Sequence, residues 1–338
     1  MSNRVTSAEV AARAGVSQSA VSRVFTPGAS ASAKTAEKVR QAAAELGYRP
    51  NVLARAMVSG KSRIIGLVVA YLDNYFYPEA LEKLSNALQE QGYHVLVFMA
   101  SQTAGNIDPV VEEILDYQVD GIIAASVALS SNLSERCVAA GVPIVLFNRS
   151  QDDPRMSAVT SDNFAGGHKV GRFLLAGGHR KIGYIAGWEG ASTQRDREQG
   201  FLAALTEGGH SLHKREVGNF KMDQAADAAR RMFAEDPPDA VFVANDHMAL
   251  AVMDVLRSEL GLRVPQDVSV VGYDDVPPAA WPAYDLTTVR QPANRMVQQT
   301  VDLLLGKIDG TQTEPQQIRI GGPLVLRGSA RVPEGWTE

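Results

Sequence analysis

The sequence predicts a mixed architecture: a short all-helical head, then a two-lobed, doubly wound α/β body. Three observations carry this. Up to residue 49, apolar residues recur at helical spacing between glycines. From Ile64 onward, strand-sized apolar runs alternate with amphipathic helical stretches, the pattern of parallel sheets wrapped by helices. Charge divides at the same place. Up to residue 63 there are ten basic and three acidic residues, a balance of +7, which leaves −12 on the rest of a chain whose net charge is −5. A basic head on an acidic body is the footprint of a polyanion-binding module joined to something else.

The elements follow in order. Thr6 and Glu9 have capping-box spacing, so each side chain can satisfy a free N–H of a first helical turn. Val10, Ala11 and Ala14 mark one apolar face, and Gly15 can take the positive φ that ends a helix and turns the chain. Ser17 is a good N-cap for a second helix, which hides Val21 and Val24 and turns Gln18, Ser19, Ser22 and Arg23 outward. This is helix-turn-helix spacing, and the outward side chains are of the types that read base edges and phosphates. A third helix starts at Ser32, carries Val39, Ala42, Ala43 and Leu46, and closes at Gly47. The stretch 51–58 has helical propensity but is too short to be stable alone in water.

In the body, strands are expected at 64–70, 95–100, 121–125, 144–147 and 158–161, then at 181–186, 240–244, 268–273 and 287–291. Helices fit between them, for example at 78–92, 163–177, 222–234 and 246–259. These are too many strands for one small sheet, hence two similar lobes. The chain can pass between them at Ser161-Asp162, Gln291-Pro292 and Gly321-Gly322-Pro323. The expected domains are 1–49 for the head and 50–60 for a hinge helix or linker. The N-lobe is 61–161 with 292–321, and the C-lobe is 162–291 with 322–338.

The 338 residues, 45% of them hydrophobic, can bury large cores. The lone Cys137 cannot form an internal disulfide, which suits a reducing cytoplasm. No apolar run approaches the ~20 residues that a membrane helix needs, and no secretory segment precedes the first helix. Enzyme signatures are missing: no G-x-G-x-x-G follows the first strand, there is no Walker lysine loop and no G-x-S-x-G elbow. The six histidines are scattered, so neither metal nor other cofactor is expected.

Several motifs in fixed order carry a resemblance. They are Val10-Ala11 with Ala14-Gly15-Val16-Ser17 and Val21-Ser22-Arg23-Val24, then Ser32-Ala33-Lys34-Thr35 with Lys38-Val39. In the body they are Ser161-Asp162-Asn163 with Gly166-Gly167, Gly178-His179 with Ile182, and Arg195-Asp196-Arg197 with Gly200-Phe201. Asn245-Asp246, Gly272-Tyr273-Asp274-Asp275 and Leu286-Thr287-Thr288-Val289 follow. In this order and spacing the chain, from about Thr6 to Arg327, resembles the LacI/GalR family of transcriptional regulators.

The resemblance implies a cytoplasmic homodimer whose heads place their second helices in successive major grooves of near-palindromic double-stranded operator DNA. Gln18, Ser19 and Arg23 would face bases, and Ser17 and Ser22 phosphates, with Thr6 completing the set in the head. The segment 51–58 matches the family's hinge helix, with Ala54 at a close approach, Arg55 as a phosphate contact and Met57 as a wedge between base steps. The body resembles a type I periplasmic-binding-protein fold, whose ligands lie beyond the carboxyl ends of the strands. A sugar or related small-metabolite effector there would meet Asn74, Tyr75 and Phe76 after the first strand and Ser101 after the second. Asn148 and Arg149, Arg197, Asn245, Asp246 and Asp274 would add polar contacts, and Phe220 and Trp281 apolar walls. The implied function is ligand-responsive repression. Two alternatives are a cytoplasmic small-molecule sensor and a sugar-modifying enzyme, neither touching DNA; the basic head opposes both.

Overall fold

A computed structural model of the chain describes residues 5–26, 29–49, 61–100, 108–126, 135–137, 139–153 and 155–337. It divides into two compact units, Met1–Arg63 and Ile64–Glu338.

The described residues of the first unit form three helices: α1 (Ser7–Ala14), α2 (Gln18–Phe25) and α3 (Ala33–Leu46). The Thr6–Glu9 capping box forms in both directions, and Gly15 takes φ 67° in the left-handed region, sending its N–H back to α1. The Ser17 hydroxyl accepts from the Ala20 N–H at 3.3 Å and so starts α2 cleanly. Val10, Ala11, Val21, Val39, Ala42 and Ala43 make the core, with Phe25 and Tyr48 packed on it. The small residues let three short helices meet closely around one core.

The second unit is built on two six-stranded sheets. The first contains β1 (Ile64–Val69), β2 (His94–Met99), β3 (Gly121–Ala125), β4 (Ile144–Phe147), β5 (Ser157–Ser161) and β11 (Gln317–Ile320), in the order β11-β5-β4-β3-β1-β2. All its pairs are parallel. The second contains β6 (Ile182–Ala186), β7 (Lys214–Val217), β8 (Ala240–Val243), β9 (Ser269–Asp274), β10 (Thr287–Arg290) and β12 (Leu324–Val325), in the order β12-β10-β9-β8-β6-β7. Only β12 runs antiparallel to its neighbour. Central strands such as β3, β4, β6 and β8 are buried throughout, which is why they read as unbroken apolar runs rather than alternating ones.

Its helices include α4 (Phe76–Glu90), α5 (Asp108–Asp116), α6 (Asn163–Ala176), α7 (Ser192–Glu207), α8 (Met222–Ala234), α9 (Asp246–Asp254) and α10 (Ala293–Ile308). The chain leaves the first sheet after β5, returns to it between β10 and β11, and leaves it again before β12.

The structure differs from the sequence expectation in three ways. Strands β7, β11 and β12 were not expected. The first two are polar edge strands reading KREV and QIRI, and the third has two residues, so none carries an apolar run. Helix α4 begins at Phe76, not at Pro78, because a proline inside the first turn sacrifices an N–H that has no helical partner there anyway. The helix expected over 246–259 changes to a π turn at Val255–Glu259, where the Leu260 N–H reaches the Val255 carbonyl at 3.1 Å.

Candidate functional site

Helix α2 shows solvent the side chains predicted to face outward. Ser17, Gln18, Ser19, Ser22 and Arg23 are all exposed, as is Thr6, while Val21 is buried. Light contacts hold them ready. Gln18 Nε2 donates to Ser7 Oγ at 2.8 Å, the Ser17 and Ser19 hydroxyls lie 3.0 Å apart, and Arg23 Nε reaches the Ser19 carbonyl at 3.4 Å. Thr6 is tied to Glu9 by the capping box, but among the described residues none of the named α2 side chains is paired with an acid; the unit's nearby ion pair joins Arg13 to Glu45 at 2.5 Å. Ala54, Arg55 and Met57 lie outside the described residues, as does Ser101.

In the body, residues at the carboxyl ends of both sheets' strands converge between the lobes. Arg197, on α7, is 2% exposed. Its Nε donates to Asn163 Oδ1 at 2.8 Å, one terminal nitrogen to the Ala244 carbonyl at 2.5 Å, and the other to Asp274 Oδ1 at 3.3 Å. The guanidinium also lies 3.7 Å from the centroid of the Tyr273 ring. Asp274, at the end of β9, takes a further bond from Gln291 Nε2 at 2.7 Å and one from the Asn74 side chain of the opposite lobe. Burial pushes its carboxyl up and the Arg197 charge pulls it down, with a net rise.

Asn245 caps α9 through the Met248 N–H at 3.0 Å. Asp246 is wholly buried and braces β10 and the loop after β9: Thr288 Oγ1 donates to it at 2.6 Å and the Val276 N–H at 3.0 Å. Burial, reinforced by the Asp274 charge, raises its carboxyl to about 7, and unlike Asp274 it has no cation beside it. It is therefore the member of the pair that keeps its proton. The unfolded chain gives up that proton near 3.8, so the folded state holds more protons between about pH 4 and 7, and stability falls as pH rises through that window. Asp246→Asn cannot ionise. Its melting temperature should gain on the parent's from pH 4 to 7 and then hold a constant lead; parallel melting curves across that range would show the carboxyl to be ionised throughout.

Across the cleft, Asn148 has φ 70° and donates through Nδ2 to Tyr77 Oη at 3.0 Å and Ser126 Oγ at 3.4 Å. Tyr77 and Ser126 also hydrogen-bond each other. Arg149, 7% exposed, donates to the Ser126 carbonyl at 2.8 Å. Its guanidinium lies 5.5 Å from the Trp188 ring and 5.9 Å from the Phe220 ring, both contributed by the other lobe. Cation–π contacts supply about 0.5–2 kcal/mol each. That is less than the several kcal/mol that burying a guanidinium costs. Two direct links also join the lobes: the Ser150 N–H donates to Ser192 Oγ at 3.0 Å, and Arg195 pairs with Asp152 at 3.0 Å.

The structure thus brings together Asn74, Asn148, Arg197, Phe220, Asp246 and Asp274, with Asn245 at their margin. Phe76 is buried against Tyr77 and stacked with Phe147, and it also lines a cavity of about 390 Å³ bordered by Asp274, Gln291, Arg290, Lys83 and Asn294. Tyr75 and Trp281 are about half exposed, and no described contact joins either to the cleft polar groups. The prediction missed Tyr77, Ser126, Asn163, Trp188, Tyr273 and Gln291. Ser126 directly follows β3 and Gln291 directly follows β10, so applying the strand-end rule to every strand would have found both. Among the described residues no group of three or more His, Cys, Asp or Glu side chains is placed to hold a metal, and no helix is long and apolar enough to cross a membrane.

Comparison with known proteins gives these features a context. The family model for bacterial regulatory proteins of the lacI family matches residues 6–51, and that for the periplasmic binding protein-like domain matches 172–330. The chain is 34% identical to the HTH-type transcriptional regulator CelR of Thermobifida fusca, over 95% of this chain and 96% of the relative. It is 30% identical to the HTH-type transcriptional repressor PurR of Vibrio vulnificus (strain CMCP6), over 96% of this chain and 98% of the relative. Among solved structures, the Lac repressor dimer bound to operator and the anti-inducer ONPF superposes with a TM-score of 0.88 at 30% identity, covering 97% of this chain and 99% of that one. A three-helix head with its second helix bare, followed by a two-sheet body with a polar cleft, therefore places this chain in the lacI family of DNA-binding transcriptional regulators.

Proposed function

We propose that the protein is a repressor that grips a near-palindromic operator as a homodimer, and that a sugar or related small metabolite in the interlobe cleft sets its grip. The observation that carries the DNA half is the row of exposed polar side chains on α2, held on a helix whose two ends and turn are fixed by caps and a left-handed glycine. Glutamine can pair bidentately with adenine and arginine with guanine. Residues 1–49 act as the reading head, 50–60 as the linker, 61–161 with 292–321 as one lobe, and 162–291 with 322–338 as the other. Strand β2 supports the dimer: among the described residues it is the free edge of its sheet, with Val97 45% and Met99 51% exposed, an edge a second copy would cover. The relative solved with operator is itself a dimer.

Closure of the lobes on the effector would change the spacing of the paired heads, a coupling typically worth ~1–3 kcal/mol. The cleft residues serve binding; their carboxylates are committed to bracing and ion-pairing, which supports a non-enzymatic role without a cofactor. The reading places the protein in the cytoplasm.

Filter binding on palindromic fragments tests the DNA half. Affinity should fall steeply with added salt, and Arg23→Ala should lose about 1–3 kcal/mol of it for the preferred sequence. Binding that ignores salt, or a variant as tight and as selective as the parent, removes the operator from the proposal.

A further inference from the structure

We infer that Ser7 is a specificity-determining residue: by holding one N–H of the Gln18 amide, it fits that side chain to adenine and turns it against guanine. This rests on α2 being the helix that reads DNA, and it adds what one of its side chains accepts. Ser7 is the first residue of α1 and Gln18 the first of α2, 11 residues further along the chain. Gln18 Nε2 donates to Ser7 Oγ at 2.8 Å, a normal length for such a bond. Ser7 is half-buried and Gln18 exposed, and neither side chain has another hydrogen-bond partner among the described residues.

A glutamine amide carries two N–H donors on its nitrogen and one acceptor oxygen. Left free, it can meet a base edge in two ways. Its oxygen with one N–H matches adenine, whose major-groove edge offers the N6 amino donor and the N7 acceptor. Its two N–H groups together match guanine, whose edge offers two acceptors, O6 and N7. Ser7 takes one of those N–H groups. One donor and one acceptor are left facing outward, which is the adenine complement. Guanine would receive a single bond and set its second acceptor against the lone pairs of Oε1, leaving both oxygens without a donor. The tether also fixes the glutamine rotamer before DNA arrives, which lowers the ordering cost of the contact.

Arg23, on the same helix, is held differently. Its Nε reaches the Ser19 carbonyl at 3.4 Å, so among the described residues both terminal nitrogens stay available for the O6 and N7 of a guanine. One side chain of α2 is thus restricted by a residue of α1, while the other keeps the donor pair that guanine needs. The reverse arrangement, with the Ser7 hydroxyl donating to Gln18 Oε1, would leave both N–H groups outward and no preference against guanine. Base choice therefore reports directly on which way the bond runs.

The test uses the full-length protein with Ser7→Ala, Ser7→Thr and Gln18→Ala. Selection from a pool of randomised near-palindromic duplexes supplies the parent's preferred sequence. The position at which Gln18→Ala loses its preference is the one that Gln18 reads. Filter binding then compares the preferred duplex with one that carries G·C for A·T at that position in both half-sites. The parent should hold the adenine duplex at least about fivefold more tightly, the lower end of what a bidentate pair supplies. Ser7→Ala should bring the two duplexes within about twofold, chiefly by tightening on guanine, with the ratios at other positions unchanged. Ser7→Thr keeps the hydroxyl and should keep most of the parent's ratio. A ratio of two affinities does not depend on how much of the protein is folded, so a weakened head cannot imitate this result.

If Ser7→Ala keeps the parent's ratio, or weakens both duplexes equally, Ser7 serves only the helix end or a phosphate and the inference is overturned. It is overturned as well if the parent prefers any pair other than A·T at the Gln18 position, or if Gln18→Ala loses no preference anywhere. In each of these cases the parent still selects a sequence, so the regulator reading stands. A parent that enriches no sequence at all would remove that reading, and the inference with it.

Discussion

Gly167→Val should cost the body about 3 kcal/mol or more, seen as a melting temperature lowered by many degrees or as loss of folded protein. Helices α6 and α7 cross with backbone against backbone. A Cβ on Gly167 would overlap the Arg197 carbonyl oxygen, and one on Gly200 would overlap the Phe164 carbonyl oxygen and stand 3.0 Å from the His168 nitrogen. The atoms in the way belong to main chains, so no rotamer change relieves the overlap and the helices must part. Parting them pulls on Arg197 itself, whose side chain ties α7 to Asn163 at the start of α6 and to the ends of β8 and β9. Gly321→Ala is the control: nothing lies within 4 Å of the added carbon and no positive φ is required. Thermal melts followed by circular dichroism should show the first variant far below the parent and the second close to it. A Gly167→Val protein that melts within about 2 °C of the parent would mean the two helices do not touch in solution.

Arg197→Ala is expected to be nearly as damaging, by about 3–5 kcal/mol, the range for removing one member of a buried ion pair. The loss has little to do with the attraction itself. Asp274 would remain buried as a charge without its cation, and Asn163 Oδ1 and the Ala244 carbonyl would lose their donors. Asp274 also bonds Asn74 across the cleft, so the lobes lose a defined contact as well. Two further variants separate charge from packing. Arg197→Lys keeps a cation but cannot reach three acceptors at once, and should fall between alanine and the parent. The double variant Arg197→Met with Asp274→Leu removes both charges and should melt above Arg197→Ala alone. If the double variant is instead worse than the single one by the sum of two independent losses, the two residues are not energetically coupled.

These two predictions mark where sequence reasoning reached and where it stopped. Gly166, Gly167 and Gly200 stood out in the sequence only as parts of motifs; which of them meets a backbone depends on a helix crossing that no local pattern encodes. Arg197 was singled out as an effector contact; in the structure three of its five N–H donors hold Asn163, Ala244 and Asp274, partners that the sequence did not show. Asp246 and Asn245 were placed at a strand end correctly enough to be candidates, yet one braces Thr288, 42 residues away, and the other caps a helix. Tyr75 and Trp281 were chosen for aromatic character beside expected strand ends, and exposure, not chemistry, leaves them out of the cleft cluster.

The residues alone determined what short-range physics governs. A Thr-x-x-Glu cap, a glycine in the left-handed region, a serine cap and apolar spacing specify the head within about forty residues, because every partner lies within a turn or two of its mate. Unbroken apolar runs likewise announce strands buried on both faces. Only the tertiary structure decided the electrostatics of the cleft. Arg149 and Arg197 look alike in sequence, and what distinguishes them is a carboxylate 77 residues from one and, among the described residues, two aromatic rings beside the other. Desolvation depends on everything packed around a group, so a buried charge and its surroundings become visible only when distant strand ends meet.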